Sequence, residues 1–181
     1  IQIDDGEQFA MDILPGMLAL TKPADDRTRQ AHTMLGGWDK HMRVEKAEPL
    51  IFAAWMRAFT KALFADELGE LFDRVWSDRP EFTTAVVAGD PVASRFCDDT
   101  TTKTVVETCG AILSKSLSVA VADLSATYGS AIAAWRWGDA HQATFTHTPF
   151  GFVPGLRDVF GFREPMGGGT FTIQRAQYRY G

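Results

Sequence analysis

The stretch WRWGDAHQATFTH, residues 135–147, marks the point at which the sequence changes character. Upstream of it, apolar residues recur at intervals of three and four, which is typical of helices with an apolar face. Downstream of Gly138 the sequence alternates and is rich in Thr and Phe, which favours a strand. We therefore predict an α+β fold in one structural unit: a helical scaffold over residues 1–138 and a strand-rich segment over residues 139–181.

Two long helices dominate the predicted scaffold. The segment EPLIFAAWMRAFTKALFADELG, residues 48–69, carries two adjacent apolar stripes and a narrow polar edge, which indicates burial on most sides. The segment TVVETCGAILSKSLSVAVADLSATYG, residues 104–129, keeps a steady three-four spacing, and Thr104 with Glu107 matches a capping box at its start. A glycine ends each segment, as expected at a helix C-terminus.

Two strands are predicted after the helices. HQATFTHTPFGF, residues 141–152, alternates as a strand does, and MGGGTFTIQRAQYRY, residues 166–180, predicts a glycine hinge followed by a second strand. The glycine run at residues 167–169 could instead cradle a phosphate. It matches neither of the glycine-rich phosphate-binding motifs, and a strand rather than a helix is expected after it.

The stretch at residues 135–147 also contains the first candidate metal-binding and ligand-binding residues. On one strand, the even offset would place His141 and His147 on the same face, and Asp139 could add a carboxylate. Zinc would need a further ligand, so we expect no tightly bound metal and both histidines hydrogen-bonded inside a packed junction. Trp135 and Trp137 could stack on a ligand, but we expect them to fill the core.

Two acidic groups are weaker candidates for calcium or acid–base chemistry. Asp4, Asp5 and Glu7 lie near the N-terminus, and Asp98 and Asp99 are adjacent. Neither group has the loop spacing of an EF-hand, and capping of helix starts explains both. The motifs taken from the residues therefore contain no complete active site.

Composition excludes some classes of function. Lys and Arg total 18 against 23 Asp and Glu, the net charge is −5, and basic residues form no cluster, so the footprint of a nucleic-acid binder is missing. The longest apolar run is shorter than the roughly 20 residues of a membrane span. The chain begins with Ile1 and shows no signal peptide, which we interpret as a mature product or an excised piece.

Cys97 and Cys109 are the two cysteines of the chain. So sparse a pair could be two unrelated buried thiols. Their closeness in sequence, with one in a polar turn and the other on a helix, also fits a local disulfide and an oxidising compartment. The residues alone leave both alternatives open.

Five segments together resemble the penicillin acylase family in the family's own order. The stretch at residues 135–147 resembles its W-x-W-G-x-x-H…F-x-H signature, although here Thr148 separates the second histidine from the proline that often follows it in the family. A second departure lies in the first segment, where the family's usual serine is replaced near Glu7. The other four segments are IQIDDGEQFAMDILPGML, MLGGWDKHMRVEKAEPLIFAAWMRAF, FCDDTTTKTVVETC and GGGTFTIQRAQY. The resemblance covers nearly the whole chain.

The resemblance implies an αββα sandwich and an amidohydrolase that acts on penicillins, acyl-homoserine lactones or lipopeptides. In the family, a precursor cuts itself into a small and a large chain. The new terminal serine of the large chain is the nucleophile, its α-amino group is the base, and an asparagine and backbone N–H groups bind the oxyanion. This chain resembles only a later part of the large chain, and none of its residues aligns with those groups.

Further expectations follow from the resemblance. The partners would be the small chain, the preceding part of the large chain and a small acyl-amide substrate, with no nucleic acid and no membrane span. No cofactor is expected in this segment, although the family can hold calcium through residues elsewhere. The protein would be periplasmic or secreted, Cys97 and Cys109 would pair, and Trp135, Trp137, His141 and His147 would be structural.

One rival interpretation remains: a self-contained, non-catalytic helical binding or scaffold domain. An acylase segment requires upstream sequence with a self-cleavage serine, and a binding module does not. The mass of the gene product distinguishes the two.

Overall fold

A computed structural model describes residues 4–75, 77, 79–145, 147–150, 153, 155–156 and 160–174. Within them seven α-helices precede two strands. The helices are α1 (Gln8–Leu20), α2 (Asp26–Gly37), α3 (Glu48–Leu68), α4 (Phe72–Val75), α5 (Pro80–Val87), α6 (Cys109–Tyr128) and α7 (Trp137–Ala140); the strands are β1 (Gln142–Phe145) and β2 (Phe162–Pro165). Short 3-10 turns occupy Gly69–Leu71, Ala93–Cys97 and Ile132–Ala134. The α+β class is confirmed, while the division at residue 138 stays a prediction.

The long helices α3 and α6 pack against each other in the core. Side chains on most sides of α3 are buried, as its two apolar stripes predicted. Trp55 of α3 is fully buried, and its indole N–H donates to the carbonyl of Leu113 at 3.1 Å and to the Ser116 hydroxyl at 3.2 Å. The polar Ser116 is therefore tolerated inside the core because it is hydrogen-bonded there.

The start of α6 differs from the prediction. The helix begins at Cys109, and its N-cap is Thr108, whose hydroxyl accepts from the backbone N–H of Ala111 at 3.2 Å. The predicted capping box of Thr104 and Glu107 is wrong, because Glu107 belongs to the loop before the helix. There its carboxylate accepts from the N–H of Asp99 at 3.2 Å.

A disulfide joins Cys97 to Cys109, with Cα atoms 5.0 Å apart. It connects the end of the Ala93–Cys97 turn to the first residue of α6. The loop between the cysteines also contacts α3, since the N–H and hydroxyl of Thr100 both donate to Asp66 Oδ2, at 2.8 and 3.0 Å. The predicted disulfide is thus present, and it closes a loop that lies between the two central helices.

The strands β1 and β2 pair antiparallel, with Gln142 opposite Pro165 and Phe145 opposite Phe162. A strand was expected after the glycine run, but β2 precedes it, and residues 170–174 form a turn and bends. The glycine backbone bonds elsewhere: the N–H of Gly168 donates to the carbonyl of Met42 at 2.9 Å. The remainder of the predicted second strand, residues 175–180, lies outside the described residues.

Among the described helices, α6 alone is long and apolar enough to cross a membrane by length and composition. It is also a core helix, and core helices pass the same test. Its buried residues are Ile112, Leu113, Ser116, Leu117, Ala120, Val121 and Leu124.

Candidate functional site

The two tryptophans of the stretch at residues 135–147 are core residues, each 1% exposed. Trp135 follows the Ile132–Ala134 turn, and its indole N–H donates to the carbonyl of Gly129 at 2.8 Å. Trp137 begins α7, and its indole N–H donates to the carbonyl of Gly168 at 3.0 Å. Each ring thus fills the core while its one polar atom is satisfied.

His141 completes this junction. It is 3% exposed, and its ring lies parallel to that of Trp137 with centroids 4.7 Å apart. Its Nδ1 lies 2.6 Å from the carbonyl oxygen of Met166, and because a carbonyl only accepts, Nδ1 carries the proton. The N–H of Met166 returns a bond to the carbonyl of His141 at 2.9 Å. His141 therefore joins the end of α7 to the residue that follows β2.

His147 does not share a strand face with His141. The strand covers only Gln142–Phe145, so His141 lies before it and His147 after it. His147 is exposed and stacks on Phe150, with centroids 5.1 Å apart. The expectation that both histidines lie on one face is wrong, because the strand is shorter than the alternating sequence. The expectation that both lie inside a packed junction holds for the burial of His141 and is wrong for His147, which is exposed.

The segment before α1 pairs with the segment at residues 38–42. The N–H of Glu7 donates to the carbonyl of Lys40 at 2.8 Å, and the N–H of Met42 donates to the carbonyl of Asp5 at 2.9 Å. This pairing brings His41 Nδ1 to 2.6 Å from Asp5 Oδ1. Sequence reasoning missed His41, because no ligand motif surrounds it and its partner lies 36 positions away.

Within the described residues, the side chains of Asp4, Asp5 and His41 could bind a metal ion and lie close together. One ligand atom from each lies within 4.8 Å of the others. All three side chains already have hydrogen-bond partners: Asp4 Oδ1 accepts from the N–H of Gly6 at 2.9 Å, and Asp5 Oδ1 lies 2.6 Å from His41 Nδ1. The cluster could hold a hard cation through its carboxylates, and no other feature of the described residues around it indicates a ligand.

The acidic residues of the two candidate groups do not cap helices through their side chains. Glu7 is the N-cap residue of α1 but makes no side-chain cap bond, and it is 3% exposed. Asp98 accepts from the N–H of Glu107 at 3.2 Å, and Asp99 accepts from the N–H of Thr101 at 3.0 Å. The expectation of capping is wrong, because Asp98 and Asp99 order the disulfide loop instead.

Glu7 lies in the wall of a cavity beneath the glycine run. A Cβ added at Gly169 would lie 3.1 Å from Glu7 Oε2 and 3.1 Å from the Met42 methyl, so a larger residue would require these side-chain ends to shift by a few tenths of an ångström. The wall is mostly apolar and consists of Glu7, Phe9, Met42, Phe52, Ala53, Met56, Trp137, Gly169, Thr170 and Phe171.

Asp66 and Glu67, near the end of α3, form a pair of neighbouring carboxyl groups. Burial and the Asp66 carboxylate raise the pKa of Glu67 to about 7. Burial raises the pKa of Asp66, but hydrogen bonds from Glu67 and Thr100 outweigh it and lower the pKa overall. The pair therefore holds one proton below neutral pH, on Glu67.

Among the described residues, no histidine ring is hydrogen-bonded to a serine hydroxyl. His32 Nε2 meets the carbonyl of Leu18 at 3.1 Å, His41 meets a carboxylate and His141 meets a carbonyl. Ser130 is exposed just beyond α6. Nucleophilic catalysis by serine requires a base within hydrogen-bond reach, and the contacts of the described chain contain no such pair.

The chain matches known proteins along its whole length. The family model described as penicillin amidase matches residues 1–181. The chain is 25% identical to an acyl-homoserine lactone acylase QuiP from Pseudomonas aeruginosa, over 98% of this chain and 23% of that protein. It is 25% identical to the QuiP of Pseudomonas fluorescens Pf-5, over 100% of this chain and 24% of that protein. The chain thus spans about a quarter of the length of these relatives.

Proposed function

Because the chain belongs to the penicillin amidase family, we propose that it is part of an amidohydrolase that cleaves an acyl-amide bond, with the acyl group carried on a serine outside these 181 residues. The observation that carries this proposal is the family match along the entire chain. The relatives are acylases and are much longer than the chain, which leaves room for the nucleophile elsewhere.

The role of this segment would be to support the active site. Acyl transfer requires a nucleophile, a base in reach of it and donors for the oxyanion. The buried indoles of Trp135 and Trp137 and the ring of His141 donate instead to backbone carbonyls. These bonds fix the path of the chain from α6 into β1 and do not present a reactive atom.

The substrate would be an N-acyl amide: an acyl-homoserine lactone, a lipopeptide or the side-chain amide of a β-lactam. We place acyl-homoserine lactones first, because the curated relatives bear the name of acylases for that class. The acyl group would be accepted mainly by parts of the protein that precede this segment.

The remaining parts of the assembly follow from the same proposal. The segment would associate with the small chain and with the preceding part of the large chain, and their central sheets would complete an αββα sandwich. The disulfide between Cys97 and Cys109 supports a periplasmic or secreted location, because such bonds persist in oxidising compartments. No cofactor is assigned to this segment, and any calcium would be held elsewhere.

The second candidate function is a non-catalytic scaffold or binding domain. The resemblance puts the nucleophile, its base and the oxyanion asparagine outside this chain, which favours it for the isolated chain, and the family match favours the acylase for the complete protein. The two differ in whether the full-length gene product releases acyl groups.

The test measures acyl release from penicillin G and from a long-chain acyl-homoserine lactone. We expect turnover by the full-length gene product and none above background by the purified 181-residue chain. Removing one oxyanion donor alone costs about a hundredfold or more in rate, so loss of the nucleophile as well should leave nothing measurable. Turnover by the isolated chain that is lost in Ser130→Ala would contradict the proposal, and so would an inactive full-length product.

A further inference from the structure

The loop that the bond between Cys97 and Cys109 closes is exposed along most of its length. We refer to residues 98–108 as the disulfide loop. Every residue from Thr100 to Val106 is exposed, and Val106 is 80% exposed. The disulfide loop therefore projects into solvent, although a covalent bond fixes its base. Exposed loop tips with small and polar residues are preferred sites of proteolytic cleavage.

Glu107 anchors the base of the disulfide loop. Its N–H donates to Asp98 Oδ1 at 3.2 Å, and its Oε2 accepts from the N–H of Asp99 at 3.2 Å. These two bonds join the beginning of the loop to its end, beside the disulfide. Residues 101–106 lie beyond them and form what we call the tip of the loop.

The backbone of the tip keeps hydrogen-bonding groups that are not in use. Within the described residues, the N–H groups of residues 103–106 make no hydrogen bond, and these residues belong to no helix or strand. The carbonyl of Lys103 likewise accepts no bond from the described chain. Peptides that bind as an added extended strand do so through main-chain hydrogen bonds. The tip therefore offers the groups that the cleft of a protease requires.

Lys103 differs from the other basic residues in its carbonyl group. Among the described residues outside the α-helices and strands, six basic residues have a carbonyl that accepts a backbone bond: Lys40, Arg43, Lys46, Arg79, Arg95 and Arg136. Lys22 does not, but Pro23 follows it, and proline has no N–H to donate. In this part of the described chain, Lys103 thus combines an open carbonyl with an ordinary peptide bond after it.

We propose that the disulfide loop is a proteolytic processing site, cleaved between Lys103 and Thr104 by a serine protease that recognises a basic side chain. Water is the co-reactant: its hydroxyl adds to the carbonyl carbon of Lys103 and its proton to the nitrogen of Thr104 as the C–N bond breaks. Cys97 and Cys109 lie on opposite sides of this bond, so the disulfide keeps the two products joined. The site does not depend on the proposed function.

One side-chain contact spans the bond to be cleaved. The Thr102 hydroxyl donates to the carbonyl of Val105, at 3.1 Å, and the chain bends at Lys103 and Thr104. A protease binds the same residues in an extended form, so this contact has to open before cleavage. The unused N–H groups of residues 103–106 add no hydrogen bond that opposes the opening.

Limited digestion of the native, unreduced full-length gene product with trypsin tests the proposal. After digestion, reduction should release a fragment that ends at Lys103 and one that begins at Thr104, both identified by mass spectrometry. Without reduction the two fragments should migrate together, because the disulfide joins them. The reduced and unfolded chain serves as the reference, since every basic site is open there. If the native product keeps the Lys103–Thr104 bond while the unfolded chain is cut at it, the proposal is overturned.

A matched pair of lysine variants assigns the cleavage to this bond. Lys103→Gln should slow the appearance of the two fragments by at least about a hundredfold, because a pocket built to pair with a charged side chain rejects one that lacks it. Lys115→Gln, at an exposed position of α6, should change the rate by less than about twofold. Equal rates in the two variants would contradict the site.

A second pair of variants tests the geometry of the tip. Thr102→Val removes the hydroxyl that contacts the Val105 carbonyl and should speed cleavage by about threefold or more, the factor that one ordinary hydrogen bond supplies. Thr101→Val removes a hydroxyl that contacts Asp99 instead and should change the rate by less than about twofold. Faster cleavage of Thr102→Val alone supports the proposal. Equal rates for Thr102→Val and the unaltered protein would contradict a bond that becomes accessible by opening of this contact.

Discussion

The α3–α6 pair and the β1–β2 sheet distribute their apolar side chains in opposite ways. In the helix pair, the apolar stripes face each other and Trp55 has no exposed surface. In the sheet, Phe145 and Phe162 stack on each other and remain half exposed. Burial of apolar surface is the main favourable contribution to folding. The helical part is therefore stabilised by the apolar surface that it buries within itself, while the sheet buries little apolar surface against the described residues around it.

The junction of Trp135, Trp137 and His141 connects these two regions. Its rings are buried as in the helical part, yet Trp137 and His141 make ring hydrogen bonds to the segment after β2, at Gly168 and Met166. Stability should consequently fall along the chain from α3 to the sheet, with the junction in between.

The largest expected effect is at Trp55. Trp55→Ala should lower the free energy of unfolding by about 3–5 kcal/mol, the usual cost of removing a large buried aromatic side chain. Urea denaturation of the isolated chain measures it. The matched change Phe145→Ala, at a half-exposed ring, should cost less than about 1 kcal/mol. Equal costs at the two positions would remove the contrast between the helix pair and the sheet.

The disulfide should have the next largest effect. Replacing both Cys97 and Cys109 by Ser should cost roughly 2–3 kcal/mol, because the bond closes a short loop in the unfolded chain. Urea denaturation again gives the value. Intact mass after alkylation, with and without reduction, establishes the bond itself; two thiols that react in the unreduced native protein would show that the bond is absent.

At the junction, Trp137→Phe keeps an aromatic ring but removes the donor to Gly168. The free energy of unfolding should fall by about 1–2 kcal/mol, since a buried carbonyl loses its partner. Hydrogen exchange should quicken at residues 166–170. Trp135→Phe is the control, because that indole bonds to Gly129 on the helical side. The same change in exchange at residues 166–170 in both variants would show that the Gly168 bond has no local role.

The smallest effect concerns pH and Glu67. Its pKa is raised from 4.5 to about 7, so the folded state holds a proton that the unfolded state releases at lower pH. The contribution of Glu67 to stability is then present below about pH 4.5 and is lost as the pH rises to about 7. Glu67→Gln should flatten the fall in stability across this window, and Glu70→Gln should not. Parallel profiles for wild type and Glu67→Gln would contradict the carboxyl pair.

The helices could be predicted from the sequence because their signals are local. Two apolar stripes specify α3, and Gly69 lies at its end with a φ of +52°. The start of α6 could not be predicted in the same way. Thr104 and Glu107 have the spacing of a capping box, but Glu107 is held by Asp99 and Thr102 in a loop that the disulfide closes. Contacts of that kind override local propensity.

Prediction from local sequence signals fails in the same way for the strands and the candidate site. Alternation predicted β1, but the partner strand, FREP, is too short and too polar to be recognised, and its pairing with β1 depends on a distant register. Burial of Trp135, Trp137 and His141 could be expected from their residue types. The contact between His41 and Asp5 could not, because it arises where two irregular segments pair.

Hydrogen exchange of the isolated 181-residue chain, measured by mass spectrometry, tests the central contrast most directly. Peptides from α3 and α6 should exchange only through global unfolding, since their amides lie in packed core helices. Peptides covering Gln142–Phe145 and Phe162–Pro165 should exchange through local opening, at least about a hundredfold faster than the core helices. Equal protection of the strands and the helices would show that the sheet is stable without a further layer, which would contradict the account.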